Sequence, residues 1–414
     1  MGLALGGTLL AATPAMAQAD ERGLSISERP RSDYAPYGYR LGSIVVNPSI
    51  DVIGDYTDNF RASSVDKQSD FYLTVAPEVR IQSDWNRNRI DGRAYFNRSI
   101  HARLPQEDVS QFGGALGGTL DVSRQTAVRI DISADRSAES RTSLGSFRGT
   151  LEPVILDKIR AGLSVSQEFN ALQLVGAAGG EYTNFHDALG TAGEIDQDFR
   201  DVRAVYASAT AKYRLRDGIA LLVSARVDDN RYTFRAGKPG FDPLLNLDRA
   251  SSGYSLQAGV SFELTSLIFG SLQAGVLNRN YDDARLRDFS GLSFSGNLLW
   301  NATPLTSVRL RAERSIEDTS STVVAGNTRS EGALSIEHEL YRYVILSADT
   351  IYAHFEPNGV GASGNELSVG LKAKYLLDRR WSITGSVRHS QRTSESRLLR
   401  FQANMATVTT RFAF

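Results

Sequence analysis

The chain has 414 residues, 46 Lys and Arg against 47 Asp and Glu, a formal net charge of −1 and no cysteine. This balance gives no reason to expect a nucleic acid partner, because polyanion-binding proteins carry an excess of basic residues. Without thiols the chain cannot be a disulfide scaffold or hold a thiolate metal site. After the first residues no stretch approaches 18 consecutive apolar residues, so no transmembrane helix is expected.

The chain begins with a small apolar run that ends in Ala15-Met16-Ala17. This run fits a signal peptide over residues 1–17, cleaved before Gln18, and it is too short to cross a bilayer as a helix. The usual early Lys or Arg is missing, so we expect the true start to lie upstream. Residues 18–42 show no period, and we expect a mobile periplasmic leader there.

From residue 43 to residue 414 a single pattern repeats, in which segments with a period of two residues alternate with breaks. The segments predict eighteen strands, starting near residues 43, 70, 88, 109, 126, 153, 171, 198, 217, 250, 266, 289, 306, 327, 342, 363, 380 and 400. The breaks alternate between short turns, at 83–88, 122–126, 168–171, 215–218, 263–266, 301–306, 339–343 and 376–380, and longer polar connections. Among the longer ones are 58–70, 136–153, 234–249 and 356–365.

Strict alternation of short and long connections is typical of a meander whose two ends differ. Transmembrane β-barrels have short periplasmic turns, longer outer loops and an even number of strands. A soluble β-sandwich has shorter strands and mixed connections. The pattern therefore predicts an all-β, antiparallel up-and-down transmembrane barrel of about 18 strands over residues 43–414.

The two faces of most predicted strands differ in polarity. Residues 71–82 place Phe71, Leu73 and Val79 on one face and the charged residues of the segment on the other. A charge on the lipid face costs about 2–4 kcal/mol at the bilayer midplane, so the polar face should meet water. Residues 171–180 and 198–213 alternate poorly, and their faces are not assigned. Aromatic residues near strand ends are typical of interface girdles, although aromatic residues also favour strands in general.

The polar face carries the candidate pore-lining residues. Its predicted bases are Arg80, Arg93, Arg129, Arg160, Arg226, Arg309, Arg311, Lys372, Lys374 and Arg388. Its predicted acids are Asp51, Glu78, Asp91, Asp131, Asp228, Glu313, Glu337, Glu339 and Asp349. Near-balance argues against a strongly ion-selective pore, because selectivity needs rings of one sign. Alternatively, residues 309–313 facing residues 337–339 form cross-strand ion pairs that stabilise the wall.

The chain ends on VTTRFAF, residues 408–414, in which Phe412 and Phe414 share a face. Outer-membrane barrels carry such a terminal strand, and its last Phe resembles their assembly signal. The alternative is a soluble sheet that ends on its last strand. If the signal is present, the barrel-assembly machinery is an expected partner.

No catalytic, cofactor-binding or metal-binding residues are predicted. Enzymes of the outer membrane need a base, usually His, beside a nucleophile. His389 precedes Ser390, but neighbours on a strand point to opposite faces. The Asp pairs at 228–229 and 282–283 lack a ligand-spacing motif.

Two segments near the start of the repeating pattern are more distinctive than the rest. YTDNFRAS (56–63) is followed by SDFYLTVAPEVRIQSDWNRN (69–88). This order of an acidic-Asn-Phe strand exit, a Ser-Asp entry, a mid-strand Pro and a Ser-Asp-Trp turn resembles the putative beta-barrel porin type 2 family of Gram-negative bacteria. The resemblance implies an outer-membrane barrel of unassigned substrate, whose relatives often lie near genes for exopolysaccharide synthesis and export.

The leading hypothesis is a passive channel for hydrophilic solutes in the outer membrane of a Gram-negative bacterium, linked to exopolysaccharide export. Outer-membrane lipid with lipopolysaccharide and polysaccharide-export components are the expected partners, and no cofactor is needed. One rival is a non-conducting structural or glycan-binding adhesion barrel, and a weaker one is a lipid-processing enzyme. A loop folded inside, at 136–153 or 234–249, would leave gating or plugging open.

Overall fold

The computed structural model describes residues 23–146, 149–242, 244, 246–317, 326–359 and 361–414. Its main strands are β1 (Ile44–Thr57), β2 (Asp70–Ser83), β3 (Arg89–His101), β4 (Val109–Asp121), β5 (Thr126–Ala138), β6 (Ile155–Phe169), β7 (Leu172–Phe185), β8 (Val202–Arg216), β9 (Ile219–Tyr232), β10 (Ser251–Leu264), β11 (Ile268–Tyr281), β12 (Phe289–Thr303), β13 (Thr306–Glu317), β14 (Asn327–Tyr341), β15 (Val344–Pro357), β16 (Gly364–Leu376), β17 (Trp381–Ser394) and β18 (Phe401–Ala413).

These strands form a closed antiparallel barrel. Each strand pairs with the next, and β18 pairs back onto β1 with Phe412 opposite Ile50. Closure pairs both edges of each of these eighteen strands, which a spanning sheet requires because lipid offers the backbone no hydrogen bonds. The predicted fold and the count of eighteen strands are confirmed. The largest boundary error is at the eighth strand, predicted from residue 198, because Asp198–Arg200 form a 3-10 turn before the strand starts at Val202.

The two ends of the barrel differ as the sequence predicts. At the short-turn end, consecutive strands such as β8 and β9 are joined by only a few residues. Gly218 in that turn has φ +76°, and a Cβ there would lie 2.5 Å from the carbonyl oxygen of Glu263, so the turn requires glycine. At the long-loop end, β1–β2, β5–β6, β7–β8 and β9–β10 are joined by longer segments.

The outward face is apolar and exposed. Leu371 and Val369 on β16 are 57% and 42% exposed, and Leu310 on β13 is 43% exposed. The residues that alternate with these along each strand point into the barrel, because successive side chains of a strand lie on opposite faces. Buried apolar residues are few, and the one cluster among the residues described is Ala62, Phe401 and Ala403. This distribution places the apolar surface outside and the polar surface inside.

Aromatic residues gather on the outside near the short-turn end. Trp381 and Phe412 have ring centroids 4.6 Å apart, and Phe414 lies 4.6 Å from Phe412. Tyr343 stacks on Tyr341 and meets Tyr375 edge-on. This grouping fits an interface girdle.

The distinctive β1–β2 segment has a structural role. Asn59 is 1% exposed, and its side-chain amide donates to the carbonyl oxygens of Ser63 and Gln402. Asp70 is fully buried, and its carboxylate meets His101 Nδ1 at 2.7 Å and accepts a hydrogen bond from Arg103 N. These contacts attach the first long loop to β18 and β3 at the seam where the barrel closes. Within the described ranges, no helix is long and apolar enough to cross a membrane.

Candidate functional site

The inner wall is crossed by ion pairs between neighbouring strands. Glu78 on β2 accepts hydrogen bonds from Arg80 at 2.6 Å and from Arg93 of β3 at 2.5 Å. Arg160 on β6 bonds Glu181 of β7 at 2.6 Å and Asp135 of β5 at 3.2 Å. The predicted lumen charges Glu78, Arg80, Arg93 and Arg160 therefore take part in ion pairs, and Asp135 and Glu181 are partners that the sequence did not predict. Their ion pairs stabilise the wall and remove local charge from the lumen.

Other ion pairs span a whole strand, over a glycine. Among the described residues, three pairs of this kind join alternate strands: Asp91–Arg129 at 2.9 Å over Gly117, Asp228–Arg279 at 2.6 Å over Gly253, and Asp349–Arg388 at 2.8 Å over Gly370. Arg129 also bonds Asp131 on its own strand. A glycine on the intervening strand leaves room for the arginine, since a Cβ at Gly117 would lie 2.4 Å from Arg129 Nη2.

A neutral sector lies at mid-height on the inner wall of β7–β12, between Lys212 at one level and the Asp228–Arg279 pair at another. Its inward positions include Ser208, Thr210, Ser224, Gln257, Gln273, Ser293 and Ser295. Gln257 donates to Ser293 at 2.6 Å, and Ser224 donates to Gln273 at 2.9 Å. Next to this sector the Arg226 guanidinium stacks 4.0 Å from the centre of the Tyr206 ring. This part of the wall therefore offers hydroxyl and amide groups rather than charge.

The proposed pairing of residues 309–313 with residues 337–339 is not present. In the register of β13 and β14, Arg309 lies opposite Ser335, Ser307 opposite Glu337 and Glu313 opposite Glu331. Arg309 instead bonds Glu28 at 2.7 Å, so its partner comes from the segment that precedes the barrel. The period of two residues along a strand shows neither the register between β13 and β14 nor the distant partner of Arg309.

The leader, residues 23–42, contacts the inner wall at the short-turn end through residues 25–31, and its Tyr39–Leu41 segment pairs with the start of β1. Ile26 is fully buried, and its N–H donates to Ser307 Oγ at 3.1 Å. Ser27 donates from its backbone N–H and its hydroxyl to Glu337. The polar sequence of this segment gave no sign of these partners inside the barrel.

A second ion pair attaches the leader at a later residue, Arg31. Arg31 meets Glu339 at 2.8 Å, and both side chains are largely buried. Burial by itself would raise the pKa of Glu28, but hydrogen bonds from Arg309 and Ser25 outweigh it and hold that pKa below its usual value. The docked leader therefore favours the ionised form of Glu28.

The β5–β6 loop, residues 139–154, folds across the long-loop end. Arg141 bonds Glu107 at 2.8 Å, and Glu107, which is 2% exposed, also meets Arg61 at 3.3 Å. Arg61 in turn donates to Leu151 O at 2.9 Å. The loop is thus attached to the β1–β2 and β3–β4 connections by an arginine–glutamate–arginine cluster.

Two further arginines hold the same loop from other parts of the wall. Arg200, just before β8, pairs with Glu139 and donates to Gly145 O at 3.0 Å. Arg392 on β17 donates to Thr142 O and pairs with Glu366. Counting through β18 and β1, β17 is six strands from β5, so the loop reaches across the mouth. It shares a cavity of about 470 Å³ with inward residues of β13. The loop therefore folds inward at one of the two places that the sequence predicted.

Sequence reasoning missed the residues that hold the loop. Arg61, Glu107, Arg141, Arg200 and Arg392 lie in loops or at strand ends, where no period marks them. The one sequence signal for this contact is the set of charged residues within the Ser- and Gly-rich loop 139–154. That pattern is also typical of a loop exposed to solvent.

The histidines form polar pairs. His186 meets Asp157 at 2.8 Å, His338 meets Thr306 at 3.0 Å and His389 meets Asn404 at 2.7 Å. Among the hydrogen bonds of the described chain, no nucleophile, base and orienting acid form a connected set. The Asp pairs at 228–229 and 282–283 bind arginines.

One acidic group in the β7–β8 loop was not anticipated. Asp187, Asp196 and Asp198 are exposed, and one carboxylate oxygen from each lies within 4.8 Å of the others. Asp187 accepts the N–H of Gln197 and Asp196 accepts that of Asp198, so two of them cap the loop backbone.

The comparisons with known proteins concern the whole barrel. The family model described as Putative beta-barrel porin 2 matches residues 31–414. No curated protein matches the sequence.

Solved structures match the fold at low identity. The siderophore receptor PirA from Acinetobacter baumannii has a TM-score of 0.49 and 8% identity, covering 89% of this chain and 80% of that chain. OccK2 (OpdF) from Pseudomonas aeruginosa, in complex with glucuronate, has a TM-score of 0.49 and 12% identity, covering 91% and 100%. The outer membrane protein opdK from the same organism has a TM-score of 0.45 and 12% identity, covering 89% and 99%.

Proposed function

This chain belongs to the Putative beta-barrel porin 2 family, and we propose that it is an outer-membrane channel for passive diffusion of small hydrophilic solutes. The observation that carries the proposal is a closed barrel of eighteen strands with a polar inner face. Barrels of this size enclose an aqueous lumen rather than a packed core. In this orientation the short-turn end faces the periplasm and the long-loop end faces outside.

The mechanism is sieving by width and by the lining of the wall. The loop 139–154 narrows the outer mouth, and the leader 23–42 narrows the periplasmic mouth. Between them, a solute passes the neutral sector of β7–β12 and the paired charges of the opposite wall. Pairing limits the charge that the wall presents to passing ions, which supports weak rather than strong ion selectivity.

We propose saccharides as the solute class, in keeping with a link to exopolysaccharide export. Hydroxyl and amide groups of the neutral sector, such as Ser208, Thr210 and Gln257, can exchange hydrogen bonds with sugar hydroxyls. Block of the ion current by a neutral oligosaccharide tests this part. Replacing Gln257 with Leu should weaken the block, whereas replacing the outward-facing Leu256 with Ala should not.

Planar-bilayer conductance of the purified protein tests the channel itself. We expect discrete conductance steps, and larger steps when Arg392→Ala releases Thr142 of the loop. His389→Ala, which faces outward on the same strand, is the matched control and should leave the steps unchanged.

The two narrowed mouths also favour a second candidate, a non-conducting structural or adhesion barrel. That candidate predicts no steps from the wild-type protein, and none from a variant in which residues 141–146 are replaced by a short glycine linker. Steps that appear only in this variant would show a barrel plugged by the loop.

A further inference from the structure

We propose that the docked leader and the wall of β15 and β16 together form a binding site for a small oxyanion, either free or carried on a saccharide. The site is a cavity of about 200 Å³ at the short-turn end. Water occupies about 30 Å³ per molecule in the liquid, so the cavity has room for a phosphate or for the carboxylate of a sugar acid. Binding here does not depend on conduction through the lumen.

Four cations line this cavity. Arg29 and Arg31 come from the leader, and Lys372 and Lys374 come from β16. In the part of the chain that the structure describes, neither lysine makes an ion pair or a side-chain hydrogen bond. Lys372 is exposed and Lys374 is partly buried, so the pair remains reachable from the lumen while lying next to the leader.

The acids near the cavity already have partners. Glu339 on β14 pairs with Arg31 at 2.8 Å. Asp51 on β1 is the carboxylate whose negative charge acts on Lys374, and it pairs with Arg411 at 3.0 Å. Glu337, which accepts hydrogen bonds from Ser27, adds one more negative charge. The four cations outnumber Glu337 and Glu339, so the local charge is positive and an anion would reduce the mutual repulsion of the lysines and arginines.

Buried donors without acceptors point to the same ligand. Arg29 Nε, Arg31 Nε and Ser347 Oγ are buried and have no hydrogen-bond partner among the described residues, and all three residues line the cavity. Unsatisfied buried donors are uncommon in folded proteins because each one costs free energy. An oxyanion offers several acceptor oxygens at once, and bonds to charged donors are the stronger kind.

The leader completes the site, since half of its cations come from residues 29–31. Ile26 and Ser27 fix the position of these arginines through their bonds to Ser307 and Glu337. Ligand binding should therefore hold the leader in place, and leader docking should raise the affinity for the ligand.

Calorimetric titration of detergent-solubilised full-length protein tests the proposal. The probes are inorganic phosphate, galacturonate and galactose at constant ionic strength. We expect binding of phosphate or galacturonate and none of galactose. Phosphate alone would indicate a free-ion site, and a clear preference for galacturonate would indicate a saccharide acid.

Variants locate the site. Lys372→Gln/Lys374→Gln should weaken binding of the preferred anion at least about tenfold, which corresponds to about 1.4 kcal/mol. Lys212→Gln removes a lysine from the other side of the barrel and should change the affinity less than twofold, as an approximate limit. Arg29→Gln tests the contribution of the leader in the same way.

Two results would overturn the proposal. One is the absence of measurable binding of either anion to the wild-type protein. The other is equal affinity in the wild type and in the folded double lysine variant, with folding checked by heat-dependent gel mobility. Because no current is measured, failure here and failure of the channel are separate outcomes.

Discussion

Asp349 and Arg388 form an ion pair at 2.8 Å although they lie on β15 and β17, with β16 between them. The residue between them in register is Gly370, which is opposite Asp349 on one side and opposite Arg388 on the other. A Cβ at Gly370 would lie 2.7 Å from Arg388 Nη2 and 2.8 Å from Asp349 Oδ1. The lack of a side chain at Gly370 therefore leaves the space in which the Arg388 guanidinium contacts Asp349.

Gly370→Val should break this pair and lower the thermal stability of the barrel. The expected loss is about 1 kcal/mol, because both side chains are partly exposed and such pairs contribute little more. Gly385→Val is the control, since nothing lies within 4 Å of a Cβ at Gly385. Heat-dependent gel mobility measured over temperature reports both variants. Equal melting temperatures for the two would show that the space at Gly370 is not needed.

Much of the fold could be predicted from the sequence because its signals are local. A period of two residues and alternating connection lengths define eighteen strands without any knowledge of distant contacts. The faces of residues 171–180 were not assigned, and the structure gives the reason. From residue 174 to residue 180 the inward residues are Val175, Ala177 and Gly179, so inside and outside do not differ in polarity there.

The candidate site was less predictable because it depends on register and on distant segments. An ion pair over Gly370 involves three strands, and no single-strand pattern shows it. The contacts of Glu28 with Arg309 and of Arg392 with Thr142 span 281 and 250 residues. Inward charges could be assigned one at a time, but their partners could not.

The lumen and lipid faces can be separated by charge substitutions on β16. Leu371→Arg should cut the folding yield strongly, because an arginine on the lipid face costs about 2–4 kcal/mol near the midplane. Changing Arg311, Lys372 and Lys374 to Glu should leave folding largely intact and shift the reversal potential toward cations. Gel mobility and bilayer recordings in a salt gradient measure the two effects. Unchanged selectivity in a folded, conducting triple variant would contradict the pore-lining assignment.

Phe412 and Phe414 lie on the outside where β18 closes onto β1. Phe414 N donates to Pro48 O at 3.1 Å, and Phe414 O accepts from Gly38 N at 3.2 Å. If this terminus is the signal read by the assembly machinery, deletion of Phe414 or Phe414→Asp should reduce folded barrel in outer membranes. Phe401→Leu keeps the terminus and serves as a control. Full assembly of both terminal variants would argue that these residues only pack at the seam.

Sidedness can be tested with epitope tags in loops and turns. Tags at 234–249 and 356–365 should be labelled on intact cells, and tags at 215–218 and 376–380 only after permeabilisation. The loop 139–154 should be labelled poorly even though it belongs to the outer end, because it folds inward and is held by Arg200 and Arg392. Surface labelling at 215–218 would reverse the orientation.

Docking of the leader should weaken in acid because Glu28 is ionised in the docked state. Its pKa is held below the ordinary value of about 4.5, so the undocked form binds a proton more readily. The contribution of Glu28 to docking is therefore complete above that ordinary value, and it is lost as the pH falls through the lower docked value. The effect should be modest, since Glu28 and Arg309 are partly exposed and screened.

A spin label can report this release, because the chain has no cysteine and Ser32→Cys creates a unique attachment point on an exposed leader position. We expect label mobility to rise as the pH falls below about 4.5, the ordinary value for Glu. Glu28→Gln should be more mobile at neutral pH and should lose that rise. Asp33→Asn, an exposed acid of the same segment, should keep it. A mobility curve that is the same with and without Glu28 would mean that other contacts alone, such as Arg31 with Glu339, hold the leader at the mouth.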